Sequence, residues 1–130
     1  MSKATFIAVV DDDRFFRESM RRLMRSLGYA AEVFASGAEF LTSARLSEAA
    51  CLIADVQMRT MTGIELYRRM IDAGLAIPTI LVTAYPNDAD RIRAINDGIV
   101  CYLPKPVDDQ ELKRCLHAAL TSDETPEENS

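Results

Sequence analysis

Several residue types that mark particular kinds of site are scarce in this sequence of 130 residues. It has a single histidine, His117, and three cysteines that lie far apart and form no CxxC pair. Histidine and cysteine metal sites need several such ligands at short spacings, so the sequence argues against a site of that kind. We expect Cys51, Cys101 and Cys115 to be reduced and to pack in the interior.

Long apolar runs and an excess of basic residues are missing as well. No segment approaches the roughly 20 apolar residues of a membrane span, and the first apolar run is too short for a signal peptide. Residues 1–120 hold 16 acids and 15 bases, so the net charge of −5 comes mainly from the last ten residues. We therefore expect a cytoplasmic protein that contacts neither membranes nor nucleic acid directly.

What the sequence does contain is a regular alternation of short apolar runs with amphipathic stretches. The apolar runs are FIAVV (6–10), AAEVF (30–34), CLIA (51–54), TILV (79–82) and CYL (101–103). Four of the five are apolar throughout, which is typical of strands covered on both faces, whereas Glu32 places the second run at a sheet edge. Each run precedes a helix-like stretch, and the five units predict a parallel sheet with helices on both faces.

The helix-like stretches carry their own start signals and apolar stripes. Ser36–Glu39 and Asp108–Glu111 have the spacing of capping boxes at the starts of the second and fifth helices. We expect the apolar stripes of all five helices, including Ile92, Ile95 and Ile99 in the fourth, to face the core. The chain then forms one domain over residues 1–121, followed by an acidic, disordered tail at residues 122–130.

Polar residues follow the predicted strands at the points where the strands end. Asp11–Asp13 come after the first strand, Asp55 after the third and Thr83 after the fourth, and Lys105 lies between two prolines after the fifth. In a parallel sheet these positions converge on one edge, where ligands bind. Clustered carboxylates suit Mg²⁺, a lysine and a hydroxyl can bind phosphoryl oxygens, and an aspartate can accept a phosphoryl group. A divalent cation would also offset the repulsion among the adjacent carboxylates.

With these motifs, the sequence resembles the receiver domain of bacterial two-component response regulators and, within them, the FixJ-like subgroup. The resemblance covers residues 5 to about 120 and rests on VVDDD, LIADVQM with Gly63 eight positions after Asp55, LVTA and YLPKP, in this order. It implies a flavodoxin-like, doubly wound (βα)5 fold. Such a fold has a five-stranded parallel sheet in strand order 2-1-3-4-5 with helices on both faces.

Carried over by position, the resemblance implies a phosphorylation site that binds Mg²⁺. Asp55 matches the phosphoacceptor. Asp12 and Asp55 would bind Mg²⁺ through their side chains, Gln57 through its backbone carbonyl and Asp11 through a water molecule. Asp13 would either join these acids or cap the first helix.

The resemblance also implies how the phosphoryl group acts on the rest of the domain. Lys105 would contact the phosphoryl group, and the peptide bond before Pro106 would be cis. Thr83 would move to hydrogen-bond the phosphoryl group, and Tyr102 would then turn inward into the space that Thr83 leaves. Arg59 stands where the family usually has proline, and its side chain would either offset part of the acidic charge or, as we favour, point to solvent.

The implied function is a signalling switch rather than an enzyme, although such a domain assists its own phosphorylation and dephosphorylation. A histidine kinase or a phosphotransfer protein would supply the phosphoryl group. The surface around the fourth helix, fifth strand and fifth helix would then change to control an effector protein or a fused output domain. A homodimer that forms on phosphorylation is a further possibility.

Two other functions remain open at this point. Asp11 and Asp13 form the D-x-D of haloacid-dehalogenase-type phosphatases, but Arg14, Phe15 and Phe16 stand where that family has small residues and a threonine. A flavin or nucleotide binder of the same fold needs a Gly- or Ser/Thr-rich phosphate loop after the first strand. Three aspartates at that place would repel a phosphate.

Overall fold

The computed structural model of the protein describes residues 5–121, in which strands and helices alternate as predicted. The strands are β1 (Phe6–Val10), β2 (Ala31–Phe34), β3 (Ala49–Asp55), β4 (Thr79–Thr83) and β5 (Cys101–Pro104). The helices are α1 (Arg14–Ser26), α2 (Gly37–Leu41), α3 (Gly63–Asp72), α4 (Asp88–Asp97) and α5 (Asp109–Thr121). The predicted acidic tail, residues 122–130, lies outside the described residues. Within the described part of the chain, no helix is both long enough and apolar enough to cross a membrane.

All five strands belong to one parallel sheet with the order β2-β1-β3-β4-β5, which is the order that the resemblance implies. β2 is an edge strand, as Glu32 indicated. In the register of the central strands, Val10 pairs with Ala54 and Asp55 pairs with Val82. The carboxyl ends of the neighbouring strands β1, β3 and β4 therefore lie side by side at one end of the sheet.

Alternate strand side chains enter two separate cores, one on each face of the sheet. On one face, Phe40 of α2 and Leu66 and Met70 of α3 pack against the sheet. On the other face, Met24 of α1 and Leu116 of α5 do so. Because both faces are covered, β1 and β4 are buried throughout, which explains their continuous apolar runs, whereas the edge strand β2 is half-buried.

The fourth helix departs from the prediction that every apolar stripe faces the core. Ile92 and Ile95 are 53% and 43% exposed, and the buried residue of α4 is Ala94. Ile99 is buried but lies after the end of α4. The prediction for Ile92 and Ile95 was therefore wrong, because an apolar stripe in a sequence looks the same whether it faces the core or solvent.

Two of the three cysteines are not in the state predicted from the sequence. Cys51 is a free and fully buried thiol, as expected. Cys101 of β5 and Cys115 of α5 form a disulfide, with their Cα atoms 6.2 Å apart, so the expectation that they are reduced was wrong. The pairing depends on how α5 packs against β5, and spacing along the chain does not reveal that distance.

Candidate functional site

The acids after β1 have three different environments. Asp11 is fully buried, and its carboxylate accepts hydrogen bonds from the Asp13 backbone N–H at 2.8 Å and from Lys105 Nζ at 2.9 Å. The side chain of Asp12 is about one-third exposed. Asp13 is exposed and is the N-cap of α1, where its side chain accepts the Phe15 backbone N–H at 3.0 Å. Of the two roles considered for Asp13, helix capping is the one found in the structure.

Asp55 is the last residue of β3 and is only 6% exposed. Its Oδ2 lies 3.6 Å from Lys105 Nζ, and its Oδ1 accepts the Gln57 backbone N–H at 3.4 Å. Burial and the nearby charge of Asp11 raise the pKa of Asp55 to about 6, although Lys105 and the Gln57 N–H oppose this rise. Asp55 is thus a buried carboxylate whose charge is only partly compensated by the protein.

Lys105 bridges the two buried carboxylates from the loop that follows β5. Its Nζ is 2.9 Å from Asp11 and 3.6 Å from Asp55, and it lies 4.2 Å from the centre of the Phe16 ring. Burial alone would lower the pKa of Lys105, but the hydrogen bond to Asp11 and the charges of both acids raise it above its usual value. The Lys105–Pro106 peptide bond is cis, as the resemblance implied.

Three of the predicted site residues come close enough together to hold a metal ion. One carboxylate oxygen from each of Asp11, Asp12 and Asp55 lies within 4.8 Å of the others. A cluster of hard, anionic oxygens at the edge of a sheet fits the ligand preference of Mg²⁺, which also retains several waters. The donor set therefore fits the cation that the sequence predicted.

Arg59 contributes little positive charge to this cluster. Its side chain is 88% exposed, and its Nε is 3.9 Å from Asp12 Oδ2. The backbone N–H of Arg59 donates to the same oxygen at 3.2 Å. An ion pair this exposed contributes about 0–1 kcal/mol, so the solvent-facing alternative for Arg59 describes the structure better.

Position 63 requires a glycine, because the start of α3 lies directly against the end of β3. A Cβ atom at Gly63 would come within 2.5 Å of the Asp55 backbone oxygen. Any other residue would push α3 away from the strand that carries Asp55. This close contact explains why a glycine stands eight positions after the aspartate.

Thr83, the last residue of β4, is fully buried, and its hydroxyl is engaged on two sides. It donates a hydrogen bond to Gln57 Oε1 at 2.7 Å and accepts the Tyr85 backbone N–H at 3.0 Å. Sequence reasoning considered only the backbone carbonyl of Gln57 and missed this side-chain contact. The resemblance implied that β3 and β4 are neighbours, but no pattern in the sequence shows which way the Gln57 side chain turns in the loop after β3.

Tyr102 already occupies the inward position in this structure. It is 8% exposed, and its hydroxyl accepts the Asn87 backbone N–H at 3.3 Å. Tyr102 is therefore inward while Thr83 is still bound to Gln57. The structure holds one arrangement of these two residues, and the predicted order of their movements on phosphorylation stays a prediction.

Comparisons with known proteins identify the family of this chain. The family described as the response regulator receiver domain matches residues 7–117. The response regulator TodT of Pseudomonas putida is 34% identical over 118 residues, and the response regulator MprA of Mycobacterium avium is 35% identical over 114 residues. These alignments cover 91% and 88% of this chain but 52% and 50% of those proteins. The chain thus spans about half the length of the curated relatives it matches.

Comparison with solved structures also identifies receiver domains as similar to this chain. The crystal structure of FixJ-N superposes with a TM-score of 0.79 at 26% identity, and the match covers 92% of this chain and 95% of that one. A response regulator receiver protein from Burkholderia phymatum has a TM-score of 0.76 at 40% identity, covering 89% of this chain and 94% of that one. The chain belongs to the response regulator receiver domain family of two-component signalling.

Proposed function

We propose that this receiver domain accepts a phosphoryl group on Asp55 in a reaction that needs Mg²⁺. The observation that carries the proposal is the position of the Asp55 carboxylate. It lies at the end of β3, in a cluster with Asp11 and Asp12, and the Lys105 ammonium is 3.6 Å away. A nucleophilic oxygen, metal-binding oxygens and a fixed cation are the groups that phosphoryl transfer requires.

Each residue has a separate task in this reaction. Because the pKa of Asp55 is about 6, its carboxylate is mostly ionised at neutral pH and can attack phosphorus. The bond between phosphorus and the donor nitrogen of a phosphohistidine then breaks, and an acyl phosphate forms on Asp55. Lys105 neutralises the phosphoryl oxygens, and Asp11 holds the Lys105 ammonium at 2.9 Å. Mg²⁺ would be held by Asp12, Asp55 and the backbone carbonyl of Gln57, and by Asp11 through a water molecule, and it would offset charge on the same oxygens.

The partners follow from the same proposal. A histidine kinase or phosphotransfer protein supplies the phosphoryl group, and an effector protein or a fused output domain reads the result. The exposed Tyr85, Ile92 and Ile95, which lie in and just before α4, support an apolar contact surface on this side of the domain. Phosphorylation at Asp55 would act on this surface through Thr83, which lies two residues before Tyr85.

The phosphatase alternative is less well supported by the geometry. A haloacid-dehalogenase-type reaction would use Asp11 as the nucleophile and Asp13 as its acidic partner. Asp11 is fully buried and bound to Lys105, and Asp13 caps α1. Neither carboxylate is arranged for that reaction, so we favour Asp55 as the nucleophile.

Incubation with acetyl phosphate and Mg²⁺, followed by intact mass measurement and peptide mapping, tests the proposal. We expect one added phosphoryl mass on the peptide that contains Asp55, and none when EDTA replaces Mg²⁺. Asp55→Asn should abolish the added mass, whereas the control Asp13→Asn should keep it because Asn can also cap α1. A phosphoryl group on Asp11 would instead favour the phosphatase reaction.

A further inference from the structure

The side chain of Gln57 makes a contact that metal binding does not explain. Gln57 is exposed and lies two residues after Asp55, yet its Oε1 accepts the hydroxyl hydrogen of the buried Thr83 at 2.7 Å. The predicted metal ligand of Gln57 is its backbone carbonyl, which is a different group. The amide side chain is therefore available for a second role.

This contact competes with the contact that Thr83 is expected to make after phosphorylation. A threonine hydroxyl has one hydrogen to donate. In the structure that hydrogen goes to Gln57, while the hydroxyl oxygen accepts the Tyr85 N–H at 3.0 Å. Thr83 cannot donate the same hydrogen to a phosphoryl oxygen on Asp55 without releasing Gln57.

The position of Tyr102 indicates that the Thr83–Gln57 hydrogen bond acts on Thr83 itself and not on Tyr102. Tyr102 is already buried, with its hydroxyl bound to the Asn87 N–H at 3.3 Å. Its inward position is compatible with the Thr83–Gln57 bond, so this bond does not act by keeping Tyr102 out. The bond instead restrains the Thr83 hydroxyl directly.

We propose that the Gln57 side chain is a positioning residue that holds Thr83 away from the phosphoryl site and so opposes activation. The proposal rests on the proposed phosphorylation of Asp55. It assigns the Gln57 amide a role in setting how readily the domain switches. Loss of the amide should make switching easier without removing any of the carboxylates, Lys105 or the Gln57 carbonyl.

Gln57→Met tests this proposal because methionine has a similar length but neither the acceptor nor the donor of the amide. Gln57 is exposed, so the fold should tolerate the change. Beryllofluoride serves as the phosphoryl mimic at a fixed Mg²⁺ concentration, and the midpoint of its titration is measured by NMR. Since one hydrogen bond no longer has to be broken, we expect a midpoint about three- to tenfold lower than that of the wild type.

A second readout separates positioning from a general structural effect. Before beryllofluoride is added, the Thr83 methyl and Tyr85 amide resonances of Gln57→Met should already have moved towards their positions in beryllofluoride-bound wild type. In a Thr83→Ala background, which has no hydroxyl to hold, Gln57→Met should change the midpoint by less than about twofold.

Two results would overturn the role of Gln57 while leaving Asp55 as the acceptor. One is an unchanged midpoint in Gln57→Met, and the other is an equal fall in the midpoint in the Thr83→Ala background. Wild-type protein that binds no beryllofluoride would overturn the proposed function itself, and the role of Gln57 with it. The titration of the wild type therefore distinguishes the two failures.

Discussion

At the scale of single residues, burial at the end of β3 gives Asp55 a pKa far from that of an ordinary carboxylate. Its pKa is raised from 3.8 to about 6, first by burial and then by Asp11. A raised carboxylate pKa means that the folded protein keeps a proton that the unfolded chain has lost. The free energy of unfolding contributed by Asp55 therefore falls as the pH rises from about 4 to about 6.

This linkage predicts that Asp55→Asn stabilises the protein while it abolishes phosphorylation. In EDTA at pH 7.5, we expect a free energy of unfolding about 2–3 kcal/mol above that of the wild type, since one pKa unit corresponds to about 1.4 kcal/mol. The difference should shrink as the pH falls below about 6 and approach zero near about pH 3, below both the folded and the unfolded pKa of Asp55. Urea unfolding of both proteins at several pH values measures this difference, and a constant difference across the range would contradict the raised pKa.

Asp12 allows a separate test of the metal site. Asp12→Asn removes one of three clustered charges, so in EDTA we expect a stability about 1–2 kcal/mol above that of the wild type. Mg²⁺ should stabilise the wild type, because it binds only the folded state, and should stabilise Asp12→Asn much less. Thermal melts with EDTA and with Mg²⁺ give both values. An equal Mg²⁺-dependent gain in the two proteins would show that Asp12 is not a ligand.

At the scale of helices and strands, the sequence predicted the alternation of strands with helices. It did so because strands that are buried on both faces need continuous apolar runs. It also predicted the edge position of β2, since Glu32 breaks the apolar pattern. The approach of Asp11, Asp12, Asp55 and Lys105 followed from one rule, that carboxyl ends of parallel strands meet. These features depend on neighbours in the sequence or on topology alone.

The features that sequence reasoning missed depend on distances between elements. The exposure of Ile92 and Ile95 on α4 depends on how that helix is rotated against the sheet. The Thr83–Gln57 bond depends on the direction of the Gln57 side chain in the loop after β3, and the Cys101–Cys115 disulfide depends on the packing of α5 on β5. None of these distances is encoded by spacing along the chain.

The disulfide between β5 and α5 leads to a stability prediction. It closes a loop with a sequence separation of 14 residues. Because this loop restricts the unfolded chain, the disulfide raises the free energy of unfolding by about 3 kcal/mol. We expect a reductant to lower the free energy of unfolding of the wild type by about that amount, and to have almost no effect on Cys115→Ala.

Cys51→Ala provides the matched control for that experiment. Cys51 is fully buried but free, so its replacement should cost stability by leaving a cavity, and the effect of reductant should remain as large as in the wild type. Chemical unfolding with and without reductant measures all three proteins. A wild type that is insensitive to reductant would contradict the disulfide.

At the scale of the whole molecule, the sheet separates two cores and carries the proposed phosphorylation site at the carboxyl ends of its strands. Asp55 ends β3 and Thr83 ends the neighbouring β4, and the loop after Thr83 leads directly into α4. Tyr102 of β5 binds the backbone of Asn87, the N-cap of α4. Thr83, Tyr102 and Asn87 thus lie between the end of β3 and the start of α4, where a change at Asp55 would have to act.

The most direct test of this account is an NMR comparison of wild type and Thr83→Ala, each with and without beryllofluoride and Mg²⁺. In the wild type, we expect chemical shift changes from Asp55 through Thr83 to Tyr102 and the start of α4. Thr83→Ala should still bind the mimic, since Asp55 and Lys105 remain, but its shift changes should stay near Asp55. Thr79→Ala, the same substitution at the other end of β4, should keep the wide pattern. Equally wide changes in Thr83→Ala would contradict the account.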